Sequence, residues 1–158
     1  SSEIAIMPLD GLDNVKKMIA KNKREANEKV KGVYLAGLGN IIEATPADKG
    51  VHRNSWLLTV GFTSSFISRN ADGTGSASFR SLEQMPEWIL NKKIYFTNSA
   101  PAITTLEYGG FPNPVKKGSY IKKSNSYEIL SINGFSTQAP NGWVRSSLIA
   151  MQNKIRSL

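Results

Sequence analysis

A proline-free stretch from Leu9 to Thr45 constrains the fold more than any other feature of the sequence. Within it, apolar side chains recur at spacings of three and four residues, which places them on one face of an α-helix. The pattern predicts a helix from about Asp13 to Glu43, with Asp10 or Asp13 as its N-cap. At 1.5 Å per residue the helix is about 45 Å long, so part of it overhangs the domain or meets a neighbour. The apolar positions are Ala26, Val30, Val33, Tyr34, Leu38, Ile41 and Ile42.

Three glycines lie inside this predicted helix, at Gly32, Gly37 and Gly39. A glycine in a helix interior costs about 1 kcal/mol relative to alanine. The three positions therefore mark either close approach of another part of the chain or a bend, and the sequence leaves both interpretations open.

A corner and a strand are predicted after the helix. Thr45 precedes Pro46, and the residue before a proline is pushed out of the helical conformation. After the turn chemistry of Asp48 to Gly50, the segment “SWLLTVGF” alternates in the manner of a half-buried strand. The side chains predicted to face inward are Trp56, Leu58, Val60 and Phe62.

Shorter elements follow. The composition of residues 63–78, which is rich in Ser, Gly and Asn, predicts a loop in which “DGTG” is a turn. After it, “MPEWIL” predicts a short helix, and “KIYFTN” predicts a second strand. Residues 119–122 and “YEILSI” predict further strands. “SAPAITTLEYGG” predicts a short helix capped by Ser99, with Leu106 and Tyr108 facing inward and Gly109 ending it.

The C-terminal segment predicts a second long amphipathic helix that begins near Pro140 and Asn141. Its apolar stripe is Val144, Leu148, Met151, Ile155 and Leu158. Together the elements predict one α+β domain over residues 1–158, in which a long N-terminal helix and a C-terminal helix pack on a small, mainly antiparallel sheet.

Composition excludes several classes of protein. Cysteine is absent, which rules out disulfides, thiolate metal sites and cysteine nucleophiles. No apolar stretch approaches the roughly 20 residues that span a bilayer, and no secretory signal is recognisable, so we expect no membrane partner and a protein made in the cytoplasm.

The net charge of +8 predicts an acidic partner. Basic residues concentrate between Val15 and Lys31, where only Glu25 and Glu28 oppose them. This concentration fits a polyanion-binding helix face and also fits an ordinary solvated helix surface. The basic residues are Lys16, Lys17, Lys21, Lys23, Arg24, Lys29 and Lys31.

A second basic segment, “VKKGSYIKKSNSY”, interleaves lysines with tyrosines. Lysines beside exposed rings are how proteins hold single-stranded nucleic acid. The alternative is an edge hairpin whose lysines prevent sheet-to-sheet aggregation. The candidate polyanion contacts are Lys116, Lys117, Tyr120, Lys122 and Lys123, with Tyr127 beside them.

Residues that could carry catalysis are few. His52 is the only histidine, and neither a nucleophile elbow nor a metal-binding motif occurs. Glu107 and Glu128 are the only carboxylates whose sequence neighbours are apolar, as expected for a paired acid and base in catalysis. Glu107 fits equally well as a structural acceptor of hydrogen bonds from backbone amides or from a basic side chain. We therefore predict a protein that is not an enzyme and holds no cofactor or metal.

Three segments, in this order, resemble one known family: “ATPADKGVHRNSW” after the long helix, “YFTNSAPAITTLEYGG” in the middle and “APNGWVRSSLIAMQNKI” at the end. The matching residues are Pro46, Asp48, Gly50, Asn54 and Ser55, then Asn98, Ala100, Leu106, Glu107, Tyr108 and Gly109, and finally Pro140, Trp143, Val144 and Arg145. With them the chain resembles the neck or tail-completion family of long-tailed bacteriophages, which includes the minor tail protein Z. It departs from that family in the Ser- and Gly-rich loop after Thr63 and in the lysine-rich loop after Gly110.

The resemblance implies a non-enzymatic virion protein that forms a ring, commonly of six copies, at the head-tail junction or tail end. Its partners would be further copies of itself, the head connector, the tail tube or terminator, and the DNA in the channel. Assembly would take place in the host cytoplasm. The motif residues would then be structural: Asp48 accepts backbone amides in its own loop, Glu107 pairs with Arg145 or Arg53, and Gly109 takes a left-handed backbone.

Overall fold

The computed structural model describes residues 2–47, 50–70, 72–114 and 117–158, with side chains described from Asp13 onward. Its elements in chain order are α1 (Ser2–Ala44), α2 (Val51–Asn54), β1 (Trp56–Val60), α3 (Ser76–Ser81) with a following 3-10 turn (Leu82–Gln84), β2 (Ile94–Asn98), α4 (Ile103–Tyr108), β3 (Ser119–Ile121), β4 (Ser126–Glu128), β5 (Ser131–Ile132), β6 (Phe135–Ser136) and α5 (Val144–Arg156). The α+β class with long N- and C-terminal helices and small antiparallel sheets is confirmed. Within the described ranges, no helix is both long and apolar enough to cross a bilayer.

Helix α1 begins well before the predicted position and is about 65 Å long. Asp10 and Asp13 therefore lie inside the helix, and the prediction that either is its N-cap was wrong. An interior aspartate costs only a few tenths of a kcal/mol relative to other ordinary residues, so it does not by itself start or end a helix. Pro8 also lies inside α1. The helix continues through its glycines, and at Gly37 a side chain would collide with Met151 of α5. Gly37 thus permits the close approach of α5.

The hydrophobic core forms around the C-terminal half of α1. Ile41 and Ile42 are fully buried there, whereas every described side chain from Asp13 to Ala26 is exposed. The predicted overhang is therefore real: α1 extends well beyond the body that it helps to build. The core consists of Leu38, Ile41, Ile42, Trp56, Leu58, Leu106, Ala139, Trp143 and Met151.

The strands form three separate two-stranded antiparallel pairs. In the largest, β1 and β2 pair with Leu58 opposite Phe96. Trp56 and Leu58 are buried as predicted, and the Trp56 and Phe96 rings stack at 4.8 Å. The prediction that Val60 and Phe62 also face inward was wrong, since they are 37% and 62% exposed. The hydroxyl of Thr59 donates to the carbonyl of Phe62 at 2.5 Å, and this turn takes Phe62 out of the strand.

Helix α3 lies partly inside the predicted loop of residues 63–78, while “MPEWIL” is not helical. The cause is side-chain hydrogen bonding to strands and loops. Ser78 of α3 accepts the amide of Trp56 at 3.0 Å, which secures α3 along the outer edge of β1. The buried Asn27 donates to the carbonyl of Glu87 at 2.9 Å and accepts the amide of Ile89 at 2.7 Å, so these backbone groups are not available to a helix.

The ends of the short elements also differ from the predictions. Helix α4 begins after Ala102, which has a φ of 65°, and Ser99 is not its cap. Leu106 is buried as predicted, but Tyr108 is 62% exposed. “YEILSI” is divided between β4 and β5, which belong to different pairs.

Helix α5 is confirmed, but its apolar stripe is only partly covered. Met151 is buried against Gly37, whereas Leu148 and Leu158 are 46% and 54% exposed. One helix-helix contact with α1 covers the middle of the stripe and leaves its flanks open to solvent.

Candidate functional site: a linked polar junction and uncovered apolar surfaces

The three motif segments meet in space. The side-chain amide of Asn98, from the middle segment, donates to the backbone carbonyl of His52 in the first segment at 2.7 Å. His52 Nε2 lies 2.5 Å from the carbonyl of Pro101, which can only accept, so Nε2 carries the proton. The middle and last segments are joined by the carboxylate of Glu107.

The first segment contains a short helix, α2, that the sequence did not predict. Gly50 precedes α2 with a φ of 74°, and Pro46 is buried. The side chain of Asn54 is fully buried, donates to the carbonyls of Gly50 and Asp72, and accepts the amide of Ala77.

Ser55 and Arg53 complete this corner. Ser55 Oγ donates to the carbonyl of Val51 at 2.6 Å and accepts the amide of Ser68 at 3.0 Å. Arg53 donates to the carbonyls of Glu43 and Thr45, which lie at the end of α1, and to that of Gly73. Asp48, predicted to accept amides in this loop, lies outside the described residues.

We call the place where the three motif segments meet, around His52, Asn98 and Glu107, the junction. The carboxylate of Glu107 is its centre. It caps the first turn of α5, where Trp143 in the N-cap position supplies no side-chain cap of its own. Its Oε1 accepts the amides of Trp143 at 2.6 Å and Val144 at 2.7 Å, and its Oε2 accepts the amide of Arg145 at 3.0 Å. Burial by itself raises the pKa of this carboxyl group, but its hydrogen bonds outweigh burial and hold the pKa below the ordinary 4.5.

Arg145 binds Glu107 from the solvent side of the junction. Its Nε donates to Oε2 at 2.7 Å, its Nη2 donates to the backbone carbonyl of Glu107 at 2.8 Å, and its guanidinium lies 4.5 Å from the centre of the Tyr108 ring. The predicted pairing of Glu107 with Arg145 is confirmed. The alternative partner, Arg53, is wrong because it is engaged with the end of α1.

The remaining motif residues set the backbone around this carboxylate. Gly109 ends α4 with a φ of 84°, so the predicted positive φ is confirmed. Trp143 is buried, and its indole N–H donates to the carbonyl of Ile41 at 3.1 Å. Pro140 is exposed and lies beside Gly142, which has a φ of 76°.

Sequence reasoning missed three polar residues whose hydrogen bonds hold loops and side chains elsewhere in the fold. Thr45 accepts the indole N–H of Trp56 at 2.9 Å, and Asn27 anchors residues 87–90 as described above. Asp72 accepts the hydroxyls of Ser76 and Thr74 together with the amide of Thr74, and these bonds lower its pKa to about 2. For Asn27 and Thr45, the only sign in the sequence of a structural role was their place beside the apolar stripe of α1, and that sign is weak.

The basic hairpin β3–β4 presents its two tyrosines side by side. Tyr120 and Tyr127 are directly opposite in the register, with ring centres 5.3 Å apart, and they are 52% and 58% exposed. The ammonium of Lys117 lies 5.8 Å from the centre of the Tyr127 ring. Lys122 and Lys123 are exposed at the tip, and Lys116 lies outside the described residues.

Several grooves remain open on the surface, among them two lined by exposed large apolar side chains. The first, which we call the β1 groove, has a volume of about 750 Å³ and is lined by Val60, Phe62 and Phe66 together with polar residues of α3. The second, the α5 groove, has a volume of about 400 Å³ and is lined by Tyr34 of α1 and Leu148 of α5. The two grooves share no lining residue, so the subunit presents two different apolar surfaces.

The buried polar side chains of the described residues form their hydrogen bonds within the fold. No buried side-chain nitrogen or oxygen among them lacks a hydrogen-bond partner. The same part of the chain holds no cluster of three or more His, Asp or Glu side chains that could bind a metal ion. The junction is thus built as a structural joint between α1, α4 and α5.

Comparison of the chain with protein-family models, with curated proteins and with solved structures gives no match. The resemblance to neck and tail-completion proteins therefore stays a prediction.

Proposed function

We propose that this chain is a structural, non-enzymatic virion protein of a long-tailed bacteriophage, which assembles as a ring at the head-tail junction or the tail end. It would act in tail completion and head-tail joining, with the head connector and the tail tube or terminator as its partners. Assembly would take place in the host cytoplasm, without a membrane.

The observation that carries this proposal is the pair of uncovered apolar grooves. Phe62 and Phe66 of the β1 groove are 62% and 47% exposed, and Leu148 of the α5 groove is 46% exposed. Large apolar side chains that remain exposed together mark interaction surfaces. The buried side chains of Asn54 and Glu107, by contrast, form their hydrogen bonds inside the fold.

Two different surfaces on one subunit suit a head-to-tail contact. When the β1 groove of one copy meets the α5 groove of the next, the growing chain of copies keeps one free groove of each kind at its two ends, and it closes into a ring if the rotation permits. A ring of identical subunits is the closed form of such a contact. The number of copies, six, comes from the sequence resemblance alone.

Deletion of the gene from the phage genome that encodes the chain tests the proposal. We expect filled heads and complete tails that do not join, and restored joining when purified protein is added to the extract. The double variant Phe62→Ser/Phe66→Ser should fold yet fail to restore joining, because it loses the apolar side of one groove. Ile132→Ser, an exposed apolar site outside both grooves, is the matched control and should restore joining. Infectious particles formed without the protein would overturn the proposal.

The β3–β4 hairpin favours a second candidate function, contact with nucleic acid. Exposed paired rings with neighbouring lysines can stack on bases while the cations track phosphates. Tyr120→Ala/Tyr127→Ala should weaken binding of single-stranded DNA by about tenfold or more, since stacking contributes about 1–3 kcal/mol per base. Filter binding at increasing salt measures this.

A matched control distinguishes stacking from general cationic attraction. The exposed tyrosine Tyr108 packs under Arg145 rather than beside the hairpin lysines, so Tyr108→Ala should leave DNA binding unchanged. Equal binding by wild type and the double tyrosine variant would remove this second function.

A further inference from the structure

The N-terminal part of α1 projects as an arm, and only its last residues lie near another element of the described structure: Asn22, Glu25 and Ala26 line an open groove together with Ile155 and Leu158 at the end of α5. We call residues 13–26 the arm, because all of their side chains are exposed and Asn27 is the first buried side chain described along α1. The arm is about 20 Å long at 1.5 Å per residue. A surface helix normally buries its apolar stripe, and this one leaves the stripe in solvent.

The arm carries an apolar seam of the kind that pairs helices. Val15, Ile19, Asn22 and Ala26 follow one another at spacings of four, three and four residues, and at 100° per residue they fall within an arc of about 60°. Val15 and Ile19 are 49% and 47% exposed. The spacing is that of the a and d positions of a coiled coil, with Asn22 as a polar position inside the seam.

Cations lie along one side of this seam, whereas Met18 and Glu25 lie along the other side. Lys16 and Lys23 lie along one side of it, directly after the seam positions Val15 and Asn22. Lys17 and Arg24 lie on the far side of the helix, about 180° from the seam. The arm contains five basic residues and only two acidic ones, Asp13 and Glu25. A surface that covers the seam therefore meets positive charge on the side that carries Lys16 and Lys23.

A second copy of the arm fits this edge poorly. In an antiparallel pair of arms, Lys16 and Lys23 face the same lysines of the other copy, which is repulsive. In a parallel pair, Lys23 faces Met18, and no ion pair forms. Self-pairing therefore gains nothing from the flanking charges.

A lipid surface also fits poorly. Insertion of the seam into a bilayer would bury the amide of Asn22 in hydrocarbon, where it finds no hydrogen-bond partner. A facing helix can supply that partner, and a single asparagine in a seam fixes the register of such a pair. Asn22 thus favours a protein over a membrane.

We propose that the arm pairs with an acidic amphipathic helix of another protein. That helix carries an apolar seam, carboxylates placed against Lys16 and Lys23, and a polar side chain opposite Asn22. The two grooves of the body are not part of this contact, so the proposal does not depend on ring formation.

A synthetic helical peptide tests the proposal with the full-length protein. The probe has leucine and isoleucine at its seam, one asparagine that faces Asn22, and glutamates at the two positions that face Lys16 and Lys23. A second peptide with lysine in place of every glutamate is the charge control. We expect the arm to bind the acidic peptide at physiological salt and not the lysine peptide, as measured by fluorescence anisotropy.

Two double variants with the same change in net charge separate pairing from general attraction. Lys16→Glu/Lys23→Glu reverses the flanking charges and should weaken binding of the acidic peptide by about tenfold or more. Lys17→Glu/Arg24→Glu reverses charges on the far side and should weaken it by less than about threefold. All four side chains are exposed, so circular dichroism should show both variants folded.

Three results would overturn the proposal. Equal loss of peptide binding in the two double variants would mean attraction by net charge alone. Binding to phosphatidylserine vesicles without binding to the acidic peptide would make the arm a membrane anchor. A dimer that Ile19→Asp abolishes would make a second copy the occupant of the seam.

Discussion

Replacement of Glu107 by alanine is expected to lower the free energy of unfolding by about 3 kcal/mol or more, because each buried amide donor that is left without an acceptor costs about 1–3 kcal/mol. The carboxylate is buried and satisfies three amides of the first turn of α5 together with Arg145. Without it, these donors lose their acceptor and α5 loses its cap. Urea denaturation followed by circular dichroism measures the loss.

Two controls accompany this variant. Glu83→Ala removes an exposed carboxylate and should change stability by less than about 0.5 kcal/mol. The Arg145→Ala single variant and the double variant complete a cycle in which the two losses should not add, because the groups touch. Additive losses would contradict the central place of this ion pair in the junction.

The same carboxylate gives stability a pH dependence of known sign. The folded state holds the pKa of Glu107 below 4.5, so its contribution is complete above that pH and is lost as the pH falls through the lowered folded-state pKa. The stability gap between wild type and Glu107→Gln should therefore be widest at neutral pH and narrow in acid. A gap that widens in acid would contradict the direction of the pKa shift.

Gly142→Ala should have the second largest effect, a loss of about 3 kcal/mol. Gly142 has a φ of 76°, and a Cβ there would collide with the backbone oxygen of Glu107 and lie 2.6 Å from its Oε1. The methyl group must therefore displace Glu107 from the start of α5. The midpoint of thermal unfolding should fall accordingly.

Gly61 offers a matched control for the backbone alone. It has a φ of 85°, but within the described part of the chain only its own neighbours in sequence lie within 4 Å of where a Cβ would be. Gly61→Ala thus tests the left-handed conformation without the collision, and we expect it to lose about 1 kcal/mol. Equal losses at the two glycines would mean that Gly142 contributes only its backbone conformation and does not position Glu107.

Local patterns in the sequence predicted the parts of the fold that depend on local rules. The three- and four-residue spacing in α1 and the Thr45-Pro46 pair predicted a long helix and its end. Alternation predicted β1 and β2. The pairing of Glu107 with Arg145 was predicted because the two residues belong to the middle and last family-like motifs. They are 38 residues apart, so no local pattern indicates their contact.

The parts that were missed depend on contacts between distant residues. Nothing in “MPEWIL” shows that Asn27, 60 residues away, occupies the carbonyl of Glu87. Helix α3 is secured by bonds from Ser78 to β1, which a serine-rich loop does not reveal. The inward alternation of β1 stops because of the turn between Thr59 and Phe62, and that turn exposes the aromatic side chain on which the proposed contact between subunits depends.

The junction and the surfaces have different roles in this account. The junction joins α1, α4 and α5 with internal hydrogen bonds, so its residues determine the fold. The arm, the basic hairpin and the two grooves face solvent, so their residues would determine the partners. Substitutions in the first group should change stability, and substitutions in the second should change assembly with little change in stability.

Native mass spectrometry over a range of protein concentrations shows whether the subunits form a closed ring through the two grooves. We expect the 17.3 kDa subunit to give way to one closed species, at about 104 kDa for six copies, without an open ladder of intermediates. A monomer at every concentration, or a ladder without a closed end point, would contradict the account.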